Sequence, residues 1–190
     1  MATIGLDKLV YAPITEDKNG NETYGTPVKL AKAISAELSI ELNEAILFAD
    51  DGQSETVKEF KSGTISLGVD DIGNEAVVAL VGATLDSNGV LISGGEDISQ
   101  YVAIGFRAKK SNGKYKYYWL YRVLFGIPAT KLATKGDSIT FSTPTIEGAI
   151  YRRNKPDGKN KHPWKAEVTE TQENSETINA WYNSVYEPEY

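Results

Sequence analysis

The sequence predicts a mostly β fold with one mid-chain helix and one C-terminal helix, in a single domain over residues 1–190. In Tyr101–Lys110 apolar side chains recur at every second position, which is the pattern of a half-buried strand. Lys114–Phe125 is rich in aromatic residues, which suit a sheet packed on both sides. Between them, Ser111-Asn112-Gly113 predicts a tight turn, because Asn-Gly tolerates positive φ. Both strands exceed the usual length of about five or six residues, so we expect a sheet that extends beyond one subunit's core.

Further strands are predicted on both sides of this hairpin. In Val28–Leu42, apolar residues at even positions alternate with polar residues at odd positions. We therefore expect one face of this strand in a core and one acidic face toward water. A turn is expected at Ala49-Asp50-Asp51-Gly52. The other strands are predicted at Met1–Tyr11, at Thr56–Asp70 with a bulge or bend at Gly63, and at Ser138–Tyr151 with a bulge near Pro144.

The mid-chain helix is predicted over Asp71–Gly82, with Asn74 as its capping residue. Its interior is apolar almost all round, so it should pack against a sheet. The C-terminal helix is predicted over 174–186, where four apolar residues fall on one helix face, namely Ile178, Trp181, Tyr182 and Val185. Two polar stretches, 13–25 and 152–163, are expected to be mobile loops. The first is alternatively an arm that reaches a neighbouring subunit.

Composition excludes several classes of function. The formal net charge of −6 argues against a general nucleic-acid binder, which would show a basic face. An acidic or neutral surface would, however, let DNA slide past without holding its phosphates. The absence of cysteine excludes disulfides and thiolate zinc sites. The sequence contains no run of about 18 apolar residues, so no membrane span is predicted. The N-terminus lacks the pattern of a secretory signal.

No enzyme motif stands out, and we expect no catalytic, cofactor or metal site. His162 is the only histidine and lies between lysines in a polar loop, so a solvated side chain is favoured over a catalytic one. Glu37 and Glu41 share a strand face, but their backbones should be about 13 Å apart, beyond glycosidase spacing. Asp50-Asp51-Gly52 lacks the continued spacing of a calcium loop.

Two clusters leave alternatives open. The rings of one cluster form either a sugar-stacking platform or sheet core and interface; its members are Tyr115, Tyr117, Tyr118, Trp119 and Tyr121. The lysines of the other cluster flank the hairpin turn, where they either keep an edge soluble or meet an acidic patch on a neighbour. Its members are Lys109, Lys110, Lys114 and Lys116.

A succession of blocks along nearly the whole chain resembles the major tail proteins of long-tailed bacteriophages, the tail-tube subunits. The resemblance is closest to the group from phages of Gram-positive hosts. The blocks are Ile4–Ala12, Glu44–Asp51, Gly63–Gly73 with the apolar helix after it, Val102–Lys110 with its aromatic return strand, Thr143–Gly148 and Ile178–Tyr186.

This resemblance implies a tail-tube-type β-sandwich or split barrel flanked by a helix, and no enzymatic activity. It implies six copies per ring, with rings stacked into a tube in the virion tail that conducts double-stranded DNA without binding it specifically. About four strands per copy would give a barrel of 24 strands, hence a circumference of about 115 Å and a diameter of roughly 37 Å. The implied partners are other copies, a tape measure protein and a tail terminator. Neither a cofactor nor a membrane is implied, and assembly would take place in the host cytoplasm.

Two sets of residues are assigned to this function. The acidic strand face is expected to line the lumen through Glu37, Ser39 and Glu41. Contacts between subunits or rings are expected at Thr15, Glu16, Asp17, Lys18, Asn19, Lys110, Asn112 and Lys114. The alternative function is a carbohydrate-binding β-sandwich module that uses exposed Tyr and Trp rings.

Overall fold

The computed structural model describes residues 2–18, 20–49, 52–130, 132, 134 and 142–190, with the backbone alone at 47–49 and 52–54. The mostly β prediction is confirmed. The strands are β1 (Thr3–Glu16), β2 (Glu22–Tyr24), β3 (Val28–Lys29), β4 (Ala33–Ala49), β5 (Gly52–Val69), β6 (Thr84–Leu85), β7 (Leu91–Ile92), β8 (Tyr101–Lys110), β9 (Tyr115–Phe125), β10 (Thr145–Tyr151) and β11 (Lys165–Thr169). The helices are α1 (Asn74–Val81) and α2 (Ser175–Ala180).

Nine of the strands form one antiparallel sheet, in the order β2-β1-β8-β9-β10-β5-β4. β3 pairs with β1 and β11 pairs with β9. One edge of β9 is shared, because β11 pairs with residues 116–120 and β10 pairs with residues 122–125. β6 and β7 form a separate small hairpin beside α1. The main sheet therefore ends in β4 on one side and in β1, with its short partners β2 and β3, on the other.

The main core lies on one face of this sheet, under α1. It is built from the inward residues of β5, β8, β9 and β10 and from the buried side of the helix, including Ile65, Leu67, Leu80, Ile104 and Ile150. A register shift between Val102 and Ile104 places an extra residue in β9. Such a bulge changes the face to which the following side chains point. As a result β9 supplies Leu120 and then Val123 to the same core.

A second cluster covers the other face of β1, β8 and β9. Here the C-terminal segment packs Trp181 and Val185 against Tyr117, Trp119 and Tyr121. The predicted C-terminal helix is real but ends at Ala180, well before 186. The carbonyl oxygen of Trp181 accepts a hydrogen bond from the Trp119 indole at 3.0 Å, and that of Tyr186 accepts one from the Tyr121 hydroxyl at 2.9 Å. These ring donors hold the segment in an irregular path across the sheet.

Most predicted elements are found, with altered ends. The hairpin of β8 and β9 has the predicted bounds within one residue, and Gly113 adopts φ 83° in its turn. The predicted α1 ends at Gly82 with φ 81°, but its N-cap is Gly73, so the Asn74 cap was wrong. β10 begins at Thr145; the earlier part of that prediction, 138–141, lies outside the described residues.

The stretch 13–25 contains a hairpin. β1 continues to Glu16, and its residues 14–16 pair with residues 22–24 of β2. The turn between them is fixed by the Asp17 carboxylate, which accepts hydrogen bonds from the backbone and side-chain amides of Asn21 at 2.9 Å each. The stretch 152–163 forms no helix or strand. The mobility of both stretches stays a prediction.

Candidate assembly surface

The longest feature of the molecule is the ribbon formed by β4 and β5, which are 17 and 18 residues long. The two strands pair along their whole length, from Ala33 opposite Val69 to Ala49 opposite Gly52. β10 pairs with β5 only between Gly63 and Gly68. The ribbon therefore continues past the last strand beside it through residues 52–62, for about 36 Å at ~3.3 Å per residue. An isolated two-stranded hairpin in water is marginally stable at best.

One face of the ribbon continues the core face of the sheet but is uncovered. We call its exposed side chains the apolar row: Ile34, Leu38, Leu42 and Ile46. Ile34 is 55% exposed and Leu42 is 56% exposed, whereas Ile65 of β5, which lies opposite Leu38, is fully buried. The prediction that this face lies in a core is thus wrong within a single copy. Alternation predicts correctly which side chains share a face, but within one copy nothing in the described residues covers them.

The outer edge of β4 is bare. No strand in the described part of the chain pairs with it. Residues 33–49 contain no Lys, Arg, Pro or Gly, and their only charges are three glutamates. Free edges present unpaired backbone groups to any passing strand, and natural sheets usually blunt them with lysine, proline or a bulge. β4 has one bulge near its start, between Ala33 and Ser35, and none of the other devices.

The opposite face of the ribbon is polar and acidic. Glu37, Ser39 and Glu41 lie on it together, as predicted from their spacing. Cross-strand partners add Ser66 and Thr64 of β5, and β10 contributes Glu147 opposite Ser66. A hydrogen bond from Lys61 at 3.2 Å lowers the pKa of the Glu41 carboxyl below its ordinary value. The three predicted side chains are therefore brought onto one face, and that this face lines a lumen stays a prediction.

The base of the ribbon is anchored by an aromatic pair. The ring of Phe60 stacks on that of Trp164, with centroids 4.7 Å apart and planes 10° apart. Arg152 donates a hydrogen bond to the carbonyl oxygen of Phe60. A bulge in β5 at Lys61, two residues from the predicted site at Gly63, lies at the same level. The ribbon thus leaves the sheet from a fixed base.

The predicted contact residues of 13–25 are placed beside a buried ion pair. Glu22 is fully buried and accepts hydrogen bonds from Arg122 of β9 and from the backbone amide of Asn154 at 2.8 Å. Arg122 also donates to Glu16 at 2.5 Å. Sequence reasoning missed this site, because Arg122 is far from both glutamates along the chain. Of the other predicted residues, Thr15, Asp17 and Lys18 are exposed, and Asn19 lies outside the described residues.

The predicted contact residues at the tip of the β8–β9 hairpin lie at one end of the sheet. Asn112 and Lys114 are exposed, and the Asn112 side chain accepts a hydrogen bond from the backbone amide of Lys114 at 3.3 Å. Lys110 is half-buried, and its ammonium group donates to the hydroxyl of Thr169 at 3.4 Å. The tip is thus presented on a rigid hairpin, and its contact with a neighbour stays a prediction.

Three rings of the aromatic cluster on β9 are sheet core, and the other two, Tyr115 and Tyr118, are half-buried. Trp119 and Tyr121 are fully buried and Tyr117 is almost so, all three under the C-terminal segment. The ring of Tyr118 stacks on Phe106 at 4.9 Å. Stacking a sugar requires an accessible ring face. These rings therefore give no support to the alternative of a glycan platform.

Other classes of site find no support in the residues that the structure describes. No cluster of three or more potential metal ligands occurs among them. Neither α1 nor α2 has the length and apolar character needed to cross a bilayer. His162 is exposed, and its Nδ1 lies 3.0 Å from the carbonyl oxygen of Arg153.

Comparisons with known proteins give a distant likeness only. No protein-family model matches the sequence, and no curated protein matches it. Among solved structures, the chain is similar to the cap that terminates the tube of the anti-feeding prophage, with TM-score 0.46, 9% identity, and coverage of 85% of this chain and 88% of the other. It is also similar to a chain of the six-fold symmetrised baseplate of that prophage, with TM-score 0.37, 8% identity, and coverage of 88% and 97%. Because both TM-scores are below 0.5, no function follows from them.

Proposed function

We propose that this chain is a non-enzymatic structural subunit of a phage tail tube, in which hexameric rings stack into a hollow tube that conducts DNA from capsid to host. The observation that carries the proposal is the β4–β5 ribbon, with its bare edge and its uncovered apolar row. Such a surface makes a monomer prone to aggregation, whereas in a chain that polymerises it supplies the contact between copies. The succession of sequence blocks from Ile4 to Tyr186 points to the tail-tube group of Gram-positive-host phages.

The two faces of the ribbon suit the two sides of a tube wall. One face is apolar and continuous with the core, so it is suited to contact with protein. The other face presents Glu37, Glu41 and Glu147 with hydroxyl side chains between them. Carboxylates repel phosphates, so this face in the lumen would let double-stranded DNA pass without retaining it. The proposed partners are copies of the chain, a tape measure protein and a tail terminator, in the virion tail after assembly in the host cytoplasm.

Size-exclusion chromatography with negative-stain imaging tests the proposal directly. Rings or tubes with an inner barrel about 40 Å or more in diameter, measured between backbones, are expected from the geometry of 24 strands once the strands tilt. A chain that stays monomeric at every concentration would contradict the proposal. A glycan-dependent change in Tyr and Trp fluorescence of that monomer would support the carbohydrate-binding module instead.

Charge reversal on the acidic face tests its place in the lumen. Tubes of the variant carrying both Glu37→Lys and Glu41→Lys should assemble but eject DNA more slowly, because lysines retain phosphates. Glu96→Lys, at an exposed glutamate in the loop between β7 and β8, is the control for a changed surface charge. Unchanged ejection from normal tubes of the double variant would remove this face from the lumen.

Contacts between stacked rings are assigned to the tip of the β8–β9 hairpin and to the turn of 13–25. Reversing both Lys110 and Lys114 to Glu should leave rings intact and prevent their stacking. The second variant has a shortened turn at 17–21. Glu16 and Glu22 are kept in it, because Arg122 holds both inside their own subunit. Normal tubes from both variants would show that rings stack through other surfaces.

A further inference from the structure

An apolar trough opens between the two edge strands of the sheet. One wall is residues 3–6 of β1, the other is residues 34–36 and Leu38 of β4, and the floor includes Phe106 and Tyr118. The cavity volume is about 570 Å³, and no charged side chain lines it. The curled sheet brings β1 and β4 near each other here, yet no ladder joins them in the described ranges. The core is thus open to solvent along this seam.

The walls of the trough are unusually exposed for apolar residues. Ile4 is 64% exposed on the β1 side, and Ile34 faces it from β4. The floor residue Ile65 is fully buried yet also lines the opening. Apolar surface of this kind on a soluble chain marks a place where another surface packs.

The ribbon of the same copy cannot fill this trough. Leu38 lines it, and from that residue β4 runs on into the ribbon, paired with β5 as far as Ala49 with register shifts at 41–42 and 47–48. Leu42 is 56% exposed and Ile46 is 43% exposed, and neither of them lines the trough. The distal apolar row, Leu42 and Ile46, therefore stays outside the trough of its own copy.

We propose that the trough receives Leu42 and Ile46 from the ribbon of a second copy of this chain. The spacing fits, because these two residues lie four positions apart, about 13 Å along a regular strand, and the wall residues Ile34 and Leu38 are also four positions apart with one bulge at Ile34. The charge fits as well, because the Glu44 beside them is paired with Lys58 at 3.3 Å and the trough is uncharged. Side chains from two such surfaces interdigitate as the inner faces of packed sheets do.

This inference rests on the proposed function and names the surface that receives the ribbon. The donating and receiving surfaces differ, so the contact is heterologous. A heterologous contact propagates from copy to copy and closes into a ring or continues as a filament, whereas a face-to-face contact would stop at a dimer.

Cysteine pairing tests the contact, since the chain has no cysteine of its own. Two differently tagged pools are mixed before assembly and then oxidised mildly. One pool has Leu42→Cys or Ile46→Cys on the ribbon, and the other has Ile4→Cys or Ile34→Cys in the trough. The control pool has Glu37→Cys on the acidic face. A disulfide forms only when the two Cβ atoms approach to about 3.5–4.5 Å.

Cross-links between the ribbon and trough pools are expected, at a yield at least about ten-fold above the ribbon and Glu37→Cys pair. Ribbon-to-ribbon links as the main product, or equal yields with the control, would overturn the inference. Negative-stain imaging of the unmodified chain distinguishes failure of this contact from failure of the tail-tube function. Tubes without ribbon-to-trough links would leave the tail-tube function standing and remove this contact, whereas neither tubes nor links would remove both.

Discussion

The two edge strands of the main sheet, β1 and β4, differ in how far their outer edges are paired or interrupted. Along β1, β3 pairs with residues 10–11 and β2 pairs with residues 14–16. Pro13 and a bulge, at which Lys8 adopts φ 51°, interrupt what remains of that edge. Along β4, the described residues supply no partner, and the sequence supplies no lysine, proline or glycine. The chain thus pairs or interrupts one edge over much of its length, whereas β4 has only one bulge near its start, and this difference is what supports β4 as the proposed assembly edge.

The largest effect on stability is expected at the buried ion pair that holds the hairpin of β1 and β2. Replacing Arg122 by Met should lower the free energy of unfolding by about 3–5 kcal/mol, because Glu22 then stays buried without its cation. Denaturant unfolding of the purified chain measures this change. Arg152→Met, which removes an exposed arginine next to the ribbon base, is the control and should cost no more than about 1 kcal/mol. Equal losses from both variants would mean that the hairpin of β1 and β2 is not held by the buried pair.

The bare edge should respond in assembly and not in folding. Leu42→Lys is expected to leave unfolding unchanged and to raise the concentration needed for assembly about ten-fold or more, which is the scale of one lost buried leucine. Light scattering against protein concentration gives this threshold. Val90 is exposed to nearly the same degree, 54% against 56% for Leu42, but lies on the β6–β7 hairpin, so Val90→Lys is the matched control. The same threshold for both variants would show that exposed apolar area in general drives assembly.

A third effect should appear at alkaline pH on the side of β1 and not on the ribbon. Burial raises the pKa of Tyr24, Tyr121 and Tyr182 above the ordinary value of 10.0. Unfolded tyrosines ionise near that pH and folded ones above it, so stability is complete below about pH 10 and falls as pH rises further. Melting temperatures measured between pH 8 and about pH 11 should therefore decline. The decline should be shallower in Tyr121→Phe, and an identical decline in that variant would contradict this cause.

The smallest effect concerns the acidic face. The hydrogen bond from Lys61 lowers the pKa of Glu41 below its ordinary 4.5, so this interaction is present above that pH and is lost as pH falls through the lowered pKa. Because Glu41 is solvated, the melting temperature at pH 7 should not change measurably in Lys61→Met. Carboxyl NMR titration should instead show the Glu41 midpoint rising toward its ordinary value in that variant. A midpoint that does not move would mean that Lys61 does not hold this carboxylate in solution.

The sequence predicts local features of this fold well, because they depend on neighbours along the chain. Alternation in Tyr101–Lys110 and the Asn-Gly turn predict the β8–β9 hairpin, and an apolar segment ending in Gly82 predicts α1. The shared face of Glu37 and Glu41 also follows from spacing alone. Alternation does not tell which surface covers a strand face. The face of Leu38 and its neighbours is therefore predicted to lie in a core, although it is exposed within one copy.

Long-range features escape a reading of the sequence for a physical reason. The polar stretch 13–25 looks like a loop, because the arginine that binds its glutamates is about a hundred positions away. The C-terminal helix looks longer than it is, because the indole of Trp119 and the hydroxyl of Tyr121 take carbonyl oxygens of the tail. The trough has no sequence signal at all, since it arises where two distant strands approach without pairing.

Hydrogen–deuterium exchange at the bare edge tests the central claim, that β4 is completed by a second copy. Backbone amides of residues 39–46 that point away from β5 should exchange fast in dilute monomer and become protected as the chain assembles with rising concentration. Amides of β8 and β9 should be protected throughout and provide the internal control. Equally fast exchange of residues 39–46 in fully assembled particles would contradict the claim.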